Sequence, residues 1–384
     1  MTQRELEKFI VYLQRENWLV FGPVESGENS ENEEKEISPF IAAHQSENTG
    51  SKSKNVSVEQ ILRPGDLVLD ERLPVFPFKR FFIPECEKLF EFQKVYPERS
   101  PAAAGRSRGA DLHETKNAQK IAILGINLLD LKAVNLYDQV FEKDPYYQFR
   151  RHRLLVVGHS ILPEIENNIF EEKFEEDVLE HLPFDIFLAN YNAPSPRAPR
   201  DSPPLNLRGG LGELYKVFTG SIKGQRILEH FGYKDYTHIQ FSGPAREGDS
   251  DQQMNSLREK LKNHHNPQIW EALGQRCLEC GKCAISCPTC FCFRIDNQVY
   301  LKKGSGARTR CWDDCFFQEF SEVAPGHKFL NSTAERIHFW YYHKFARIPD
   351  EFGFMGCVGC HRCAKVCPVD INIEEVLKEI KESQ

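Results

Sequence analysis

The residues with the most chemical capacity in this 384-residue chain are its cysteines. There are 13, and all but Cys86 lie between Cys277 and Cys367. Cys277, Cys280, Cys283 and Cys287 are followed by Pro288, a C-x2-C-x2-C-x3-C-P string, and Cys357, Cys360, Cys363 and Cys367, followed by Pro368, repeat it. A thiolate is a nucleophile, a disulfide partner or a soft metal ligand. A disulfide framework belongs to exported chains, and the charged N-terminus (Arg4, Glu5, Glu7, Lys8) does not read as a secretory signal. Metal ligation is therefore the chemistry these clustered thiols suggest.

The spacing sharpens the choice. It is the run in which three cysteines bind one [4Fe–4S] cube and the fourth binds a second. Two-residue gaps curl the backbone around a cube, the fourth cysteine follows on a helical turn, and proline then redirects the chain. The expected cofactors are two [4Fe–4S] clusters with crossed ligands. Cys277, Cys280, Cys283 and Cys367 would hold the first, and Cys357, Cys360, Cys363 and Cys287 the second. Structural zinc needs only four ligands per ion and leaves the duplicated string and its prolines unexplained.

Four cysteines remain: Cys290, Cys292, Cys311 and Cys315, in a C-x-C and a C-x3-C pair. With His327 in reserve they could form a third metal centre; equally, they could be small buried side chains beside the clusters. Cys86 reads as a core residue.

Elements must position these ligands. Residues 3–16 read as an amphipathic helix through Leu6, Phe9, Ile10 and Leu13, followed by a strand over Trp18–Val24. Ile121–Ile126, Leu154–Gly158, Phe184–Ala189 and Tyr215–Thr219 suit strands, and Leu129–Phe141 and Gly224–Phe231 suit helices. The expected fold class is α+β: an N-terminal α/β-type domain over residues 1–243 and a mostly helical ferredoxin-like domain with two [4Fe–4S] clusters over 267–384. Residues 244–266 read as a linker, and polar insertions are expected at about 26–54, 96–117 and 192–212. Between Cys287 and Cys357 lie 69 residues, enough for helices around the clusters. The aromatic run Ile337–Phe345 fits core packing there, and Ile373, Val376, Leu377 and Ile380 mark a closing amphipathic helix.

Other functions find little support. The net charge of −7 argues against a general nucleic-acid binder. No apolar run reaches the length of a membrane span, and the chain reads as soluble and cytoplasmic. Phosphate-binding glycine loops are absent, Arg208–Gly212 having the wrong spacing, so neither ATP nor NAD binding is signalled. Gly158-His159-Ser160 is half a nucleophile elbow that ends in Leu162 where glycine is needed, and it reads as a loop.

The chain resembles the iron–sulfur beta subunits of sulfhydrogenase-type [NiFe] hydrogenases and the corresponding iron–sulfur subunits of anaerobic sulfite reductases. The resemblance runs through Pro77–Phe82 with Glu87, Leu89, Phe90 and Phe92, then Gly125–Asp130, Asp144–Tyr147, Arg150 and Arg151, and Phe184–Leu188. It continues in Cys287–Cys292, Trp312–Cys315, Gly326-His327 and Cys357–Cys360. It implies a non-catalytic electron-transfer subunit with two partners. One would be a flavoprotein linked to pyridine nucleotides; the other would be a catalytic redox subunit, such as a hydrogenase or sulfite reductase. Relatives tend to carry further cysteines where this chain has Leu129 and Ser160, and a pair within Pro163–Phe170, so an additional cluster found in them is not expected here. Cys311 stands where relatives tend to have a basic residue. Two rival readings differ in class. One is a catalytic iron–sulfur subunit with an open iron position near Cys290 and Cys315; the other is a scaffold whose clusters only stabilise the fold.

Overall fold

The computed structural model describes residues 1–25, 55–93, 119–163, 165, 174–190, 214–245, 252–263, 267–300, 305–323 and 326–383. The three expected polar insertions lie outside these residues, as does most of Pro163–Phe170.

The chain opens with helix α1 (Gln3–Arg15), started by a capping box in which Thr2 and Glu5 satisfy each other's backbone amides. Leu6, Phe9, Ile10 and Leu13 recur on one face, and all are buried. That face packs on a seven-stranded sheet of β1 (Trp18–Glu25), β2 (Val56–Gln60), β4 (Lys120–Ile126), β5 (Leu154–His159), β6 (Ile186–Asn190), β7 (Tyr215–Thr219) and β8 (Tyr236–His238). The strand order is β2-β1-β4-β5-β6-β7-β8. Strands β1, β4, β5 and β6 run parallel; β2 and β7 pair antiparallel to β1 and β6. Parallel strands covered on both faces need continuous apolar runs, and all six residues of β5 are buried. Helix α2 (Leu128–Val140) covers the face opposite α1, beginning at Asn127, whose side chain accepts from the Asp130 amide at 3.0 Å. Gly158-His159-Ser160, read as a loop, instead ends β5, with His159 as its last residue.

A second sheet joins distant parts of the chain. Strand β3 (Cys86–Gln93) pairs antiparallel with β10 (Ser305–Trp312), which pairs with β9 (Phe293–Tyr300). Cys86 stands opposite Cys311 in this register, and the two form a disulfide. This corrects two expectations: Cys86 is not a simple core thiol, and Cys311 is unavailable as a metal ligand. The partners are 225 residues apart, and only the β3–β10 pairing brings them together.

The third core is helical. Gln252–Lys262, which composition placed in the linker, forms a helix whose Leu257 and Leu261 pack with Ile269, Trp270 and Leu273 of Pro267–Arg276. Thr333–Tyr342 adds Ile337, Trp340 and Tyr341, and the closing helix Ile373–Glu382 buries Ile373, Val376, Leu377 and Ile380. The aromatic run thus contributes to interior packing, with Trp340, Tyr341 and Phe345 at most 5% exposed. Among the described residues no helix is long and apolar enough to cross a membrane.

Candidate iron–sulfur site

The two cysteine strings adopt the same backbone. Two residues after the first cysteine the chain takes a left-handed conformation, at Glu279 (φ 54°) and Gly359 (φ 67°). Two residues later it does so again, at Gly281 (φ 73°) and His361 (φ 56°). Such paired reversals turn successive amides inward and suit an anionic group. The Glu279 amide donates to Cys277 Sγ at 3.4 Å and the Gly359 amide to Cys357 Sγ at 3.5 Å. A one-turn helix follows each loop, Lys282–Ile285 and Arg362–Lys365, delivering Cys287 and Cys367 just beyond it. The Ile371 amide donates to Cys367 Sγ at 3.3 Å.

Two neighbouring cavities separate the thiols. One is lined by Cys277, Cys280, Cys283 and Cys367, the other by Cys287, Cys357 and Cys360. Cys363, Trp340 and Ile373 line both. None of the eight cysteines is in a disulfide. Among the described residues no three His, Cys, Asp or Glu side chains converge on a point that could hold a single metal ion. Ligands of a cube bind separate irons and so surround a volume rather than a point, which suits these sulfur-lined cavities with amides aimed at the sulfur atoms. The residues present fit such a group.

The electrostatics are set by burial. Desolvation holds the Cys283 and Cys363 thiols well above their usual pKa and pushes Cys357 up to about 12. Cys287 goes the other way: its sulfur accepts from the Cys290 thiol and outweighs its burial, with Lys344 and Thr289 contributing. Lys344 is 3% exposed and donates to Cys287 Sγ at 3.3 Å, Thr289 Oγ1 at 2.9 Å and the Gly356 carbonyl at 3.1 Å. Burial disfavours its charge, but the sulfurs of Cys287, Cys290 and Cys357 more than offset this and hold its pKa well above the usual lysine value.

Charged side chains pin both strings. Arg362, 2% exposed, forms a two-pronged pair with Asp130 of α2 at 2.6 and 2.9 Å and donates to the Pro74 carbonyl at 2.7 Å. Glu279 is held by Arg336 and Thr333, and by Gln318 at 3.0 Å. Lys79 reaches the Ala284 carbonyl at 3.3 Å and lies 4.1 Å above the Trp312 ring, while Tyr137 donates to the Pro288 carbonyl. None of Lys79, Asp130, Lys344 and Arg362 stood out as functional from residue type. A lysine inside the aromatic Ile337–Phe345 run was the one available signal, since an apolar run rarely interrupts itself with a charge lacking a partner.

The remaining cysteines pair off. The Cys290 thiol donates to Cys287 and the Cys315 thiol to Cys292. His327 is exposed against Phe329. At two of the positions where an additional cluster was not expected, Leu129 packs with Val358 and Cys360, and Ser160 Oγ accepts from the Asn190 amide at 2.7 Å.

Comparison with known proteins agrees with this geometry. Residues 276–371 match the family described as 4Fe-4S dicluster domain. Sulfhydrogenase 2 subunit beta of Pyrococcus furiosus is 27% identical over 336 residues, covering 84% of this chain and 88% of that protein. No solved structure shows a significant match to the chain. The chain therefore carries a 4Fe-4S dicluster domain within a longer sequence similar to a sulfhydrogenase beta subunit.

Proposed function

We propose that the chain is a non-catalytic electron-transfer subunit of a multi-subunit oxidoreductase. In this reading it holds two [4Fe–4S] clusters between a flavoprotein linked to pyridine nucleotides and a catalytic redox subunit, and works in the cytoplasm. Cys277, Cys280, Cys283 and Cys367 hold one cluster; Cys357, Cys360, Cys363 and Cys287 hold the other. The observation that carries the reading is the pair of adjacent cavities: Cys367 joins Cys277, Cys280 and Cys283 at one, Cys287 joins Cys357 and Cys360 at the other, and Cys363 lines both. Bound there, the clusters supply reversible one-electron storage. The chain's own groups do the rest. Thiolates fix the irons, the amides of Glu279, Gly359 and Ile371 offset charge on sulfur, and Trp340 and Ile373 fill the space between the cavities. The similarity to a beta subunit supports a partnered role, in which the flavoprotein carries the exchange with a pyridine nucleotide.

The test is anaerobic purification of the native complex, with its subunits identified and its metal content measured. Iron and acid-labile sulfide should each reach about eight per chain, and dithionite should reduce the clusters reversibly. A count near four removes one cluster. Clusters that do not reduce reversibly favour a structural role. An iron signal that shifts on adding the substrate of the complex would instead favour a catalytic cluster.

A further inference from the structure

Lys344 is the one charged group at these cavities that is buried, touches a cysteine sulfur and has no carboxylate partner among the described residues. It sits on a π-helical turn, His343–Arg347, inserted between the helices Thr333–Tyr342 and Ile348–Phe352. Turns of this kind within helices frequently mark functional positions. Its three ammonium hydrogens meet three acceptors, Cys287 Sγ, Thr289 Oγ1 and the Gly356 carbonyl. Thr289 itself lies 3.1 Å from Cys287 Sγ and donates to the same carbonyl at 2.7 Å. The other cations nearby differ: Lys79, also buried, bonds the Ala284 carbonyl and lies over the Trp312 ring rather than bonding a sulfur. Arg362 is matched by Asp130 and His361 by Glu374, while Lys282, at the other cavity, is only half-buried and screened by water.

We propose that Lys344 makes the cube ligated by Cys287 the more easily reduced of the two. This rests on the crossed ligand assignment of the proposed function. Reduction adds a negative charge to a cube and its thiolates. A fixed, unscreened cation bonded to one of those sulfurs stabilises the reduced form more than the oxidised one. Cys277 Sγ accepts from the Glu279 amide, and the charges that act on Cys277 and Cys283 are those of carboxylates and neighbouring cysteines rather than a buried cation. The chain thus builds a direction into a pair of otherwise similar sites: the cube beside Lys344 is where an added electron rests.

Redox titration of the anaerobic full-length protein, followed by electron paramagnetic resonance, tests this. Cys280→Ser labels the signal of the first cube. In the wild type the unlabelled signal should have the higher midpoint. Lys344→Met should lower that midpoint so that its reduced-to-oxidised ratio at a fixed potential falls about tenfold, about 59 mV for a one-electron couple. The labelled midpoint should stay in place, and Lys344→Arg should restore most of the difference. Equal movement of both midpoints, movement of neither, or a wild-type order opposite to that expected would overturn the proposal. If Lys344→Met loses iron, the wild-type order and the Arg variant still decide it. Cys287→Ser examines the ligand assignment separately. If it disturbs the labelled signal, crossed ligation falls, and the lysine effect must then appear on that signal or fail.

Discussion

The two cysteine strings share a loop and differ in what holds it. Both reverse the backbone at the same two positions and aim an amide at the first sulfur. The first string is tied within its own helical core, through Glu279 to Arg336, Thr333 and Gln318. The second is tied across the molecule, through Arg362 to Asp130 and Pro74 beside the large sheet. One also has a buried lysine on its sulfur, and the other has none among the described residues. Ligand spacing dictates the local loop because a cube admits few ways round it. Anchoring and charge come from residues far away in sequence, so two identical motifs can be given unlike properties.

The largest expected effect is loss of a cluster. Under crossed ligation, Cys287→Ser should disturb the site of Cys357, Cys360 and Cys363, and Cys367→Ser that of Cys277, Cys280 and Cys283. Iron analysis with resonance spectra of each variant checks this. A structure with Cys277, Cys280, Cys283 and Cys287 around a single cube would remove the crossing but leave two sites.

Next in size is the anchor of the second string. Asp130→Ala strands the Arg362 guanidinium, which is 2% exposed, and should cost about 3–5 kcal/mol. Replacing both partners together, Asp130→Leu with Arg362→Met, should recover much of that, because the pair's desolvation penalty disappears as well. The corresponding change in the first string, Glu279→Ala, should cost less: Glu279 keeps 20% side-chain exposure, so water can reach toward Arg336. Denaturant melts of all three variants test the ranking; equal losses at Asp130 and Glu279 would break the comparison.

The sheet beside Asp130 has its own sensitivity. Burial lowers the pKa of His159 from 6.5 to about 4, and its Nδ1 accepts from the Ile161 amide at 3.2 Å. Unfolded, the ring takes a proton near pH 6.5; folded, only near pH 4. Between those values the unfolded chain binds more protons, so stability is complete above pH 6.5 and declines toward pH 4. The loss is about 3 kcal/mol. Urea melts across this range should show the decline, and His159→Gln should flatten it. Because β5 lies next to β4 and the Asn127 cap of α2, the second string should loosen in acid before the first.

Much of this was legible in the residue order. Cysteine spacing marked both loops, and period-3.6 apolar patterns located α1 to within a residue and marked the buried face of the closing helix. Runs such as Leu154–Gly158 located the buried strands. What escaped depends on contacts between distant segments. Cys86 and Cys311 carry no mutual spacing signal, since only strand register unites them. Lys79, Asp130 and Arg362 belong to residue types that usually face water, and nothing local reveals that each is buried against a partner more than 150 residues away. The β9–β10 hairpin lies in an interval where helices alone were expected, its alternation blurred by Arg294, Asp296, Arg308 and Arg310.

The smallest expected effect tests whether the shared loop tolerates exchange at its second reversal. Gly281 and His361 occupy equivalent places with φ of 73° and 56°. A Cβ at Gly281 would lie 2.5 Å from Asp314 Oδ2 and 3.0 Å from the Phe317 ring. Gly281→Ala therefore meets both the left-handed backbone penalty and a crowded wall, for a loss of about 2 kcal/mol. His361→Gly relieves that same penalty, worth about 1 kcal/mol. Against this stand the greater freedom of glycine in the unfolded chain, about 0.5–1 kcal/mol, and the lost contact of His361 Nε2 with Glu374 at 2.5 Å. The two sides nearly cancel, so His361→Gly should shift stability by less than about 1 kcal/mol in either direction. Thermal melts of the two variants side by side measure the asymmetry. Equal losses would mean that the two loops are constrained alike, and that the difference between the strings lies only in their anchors and in Lys344.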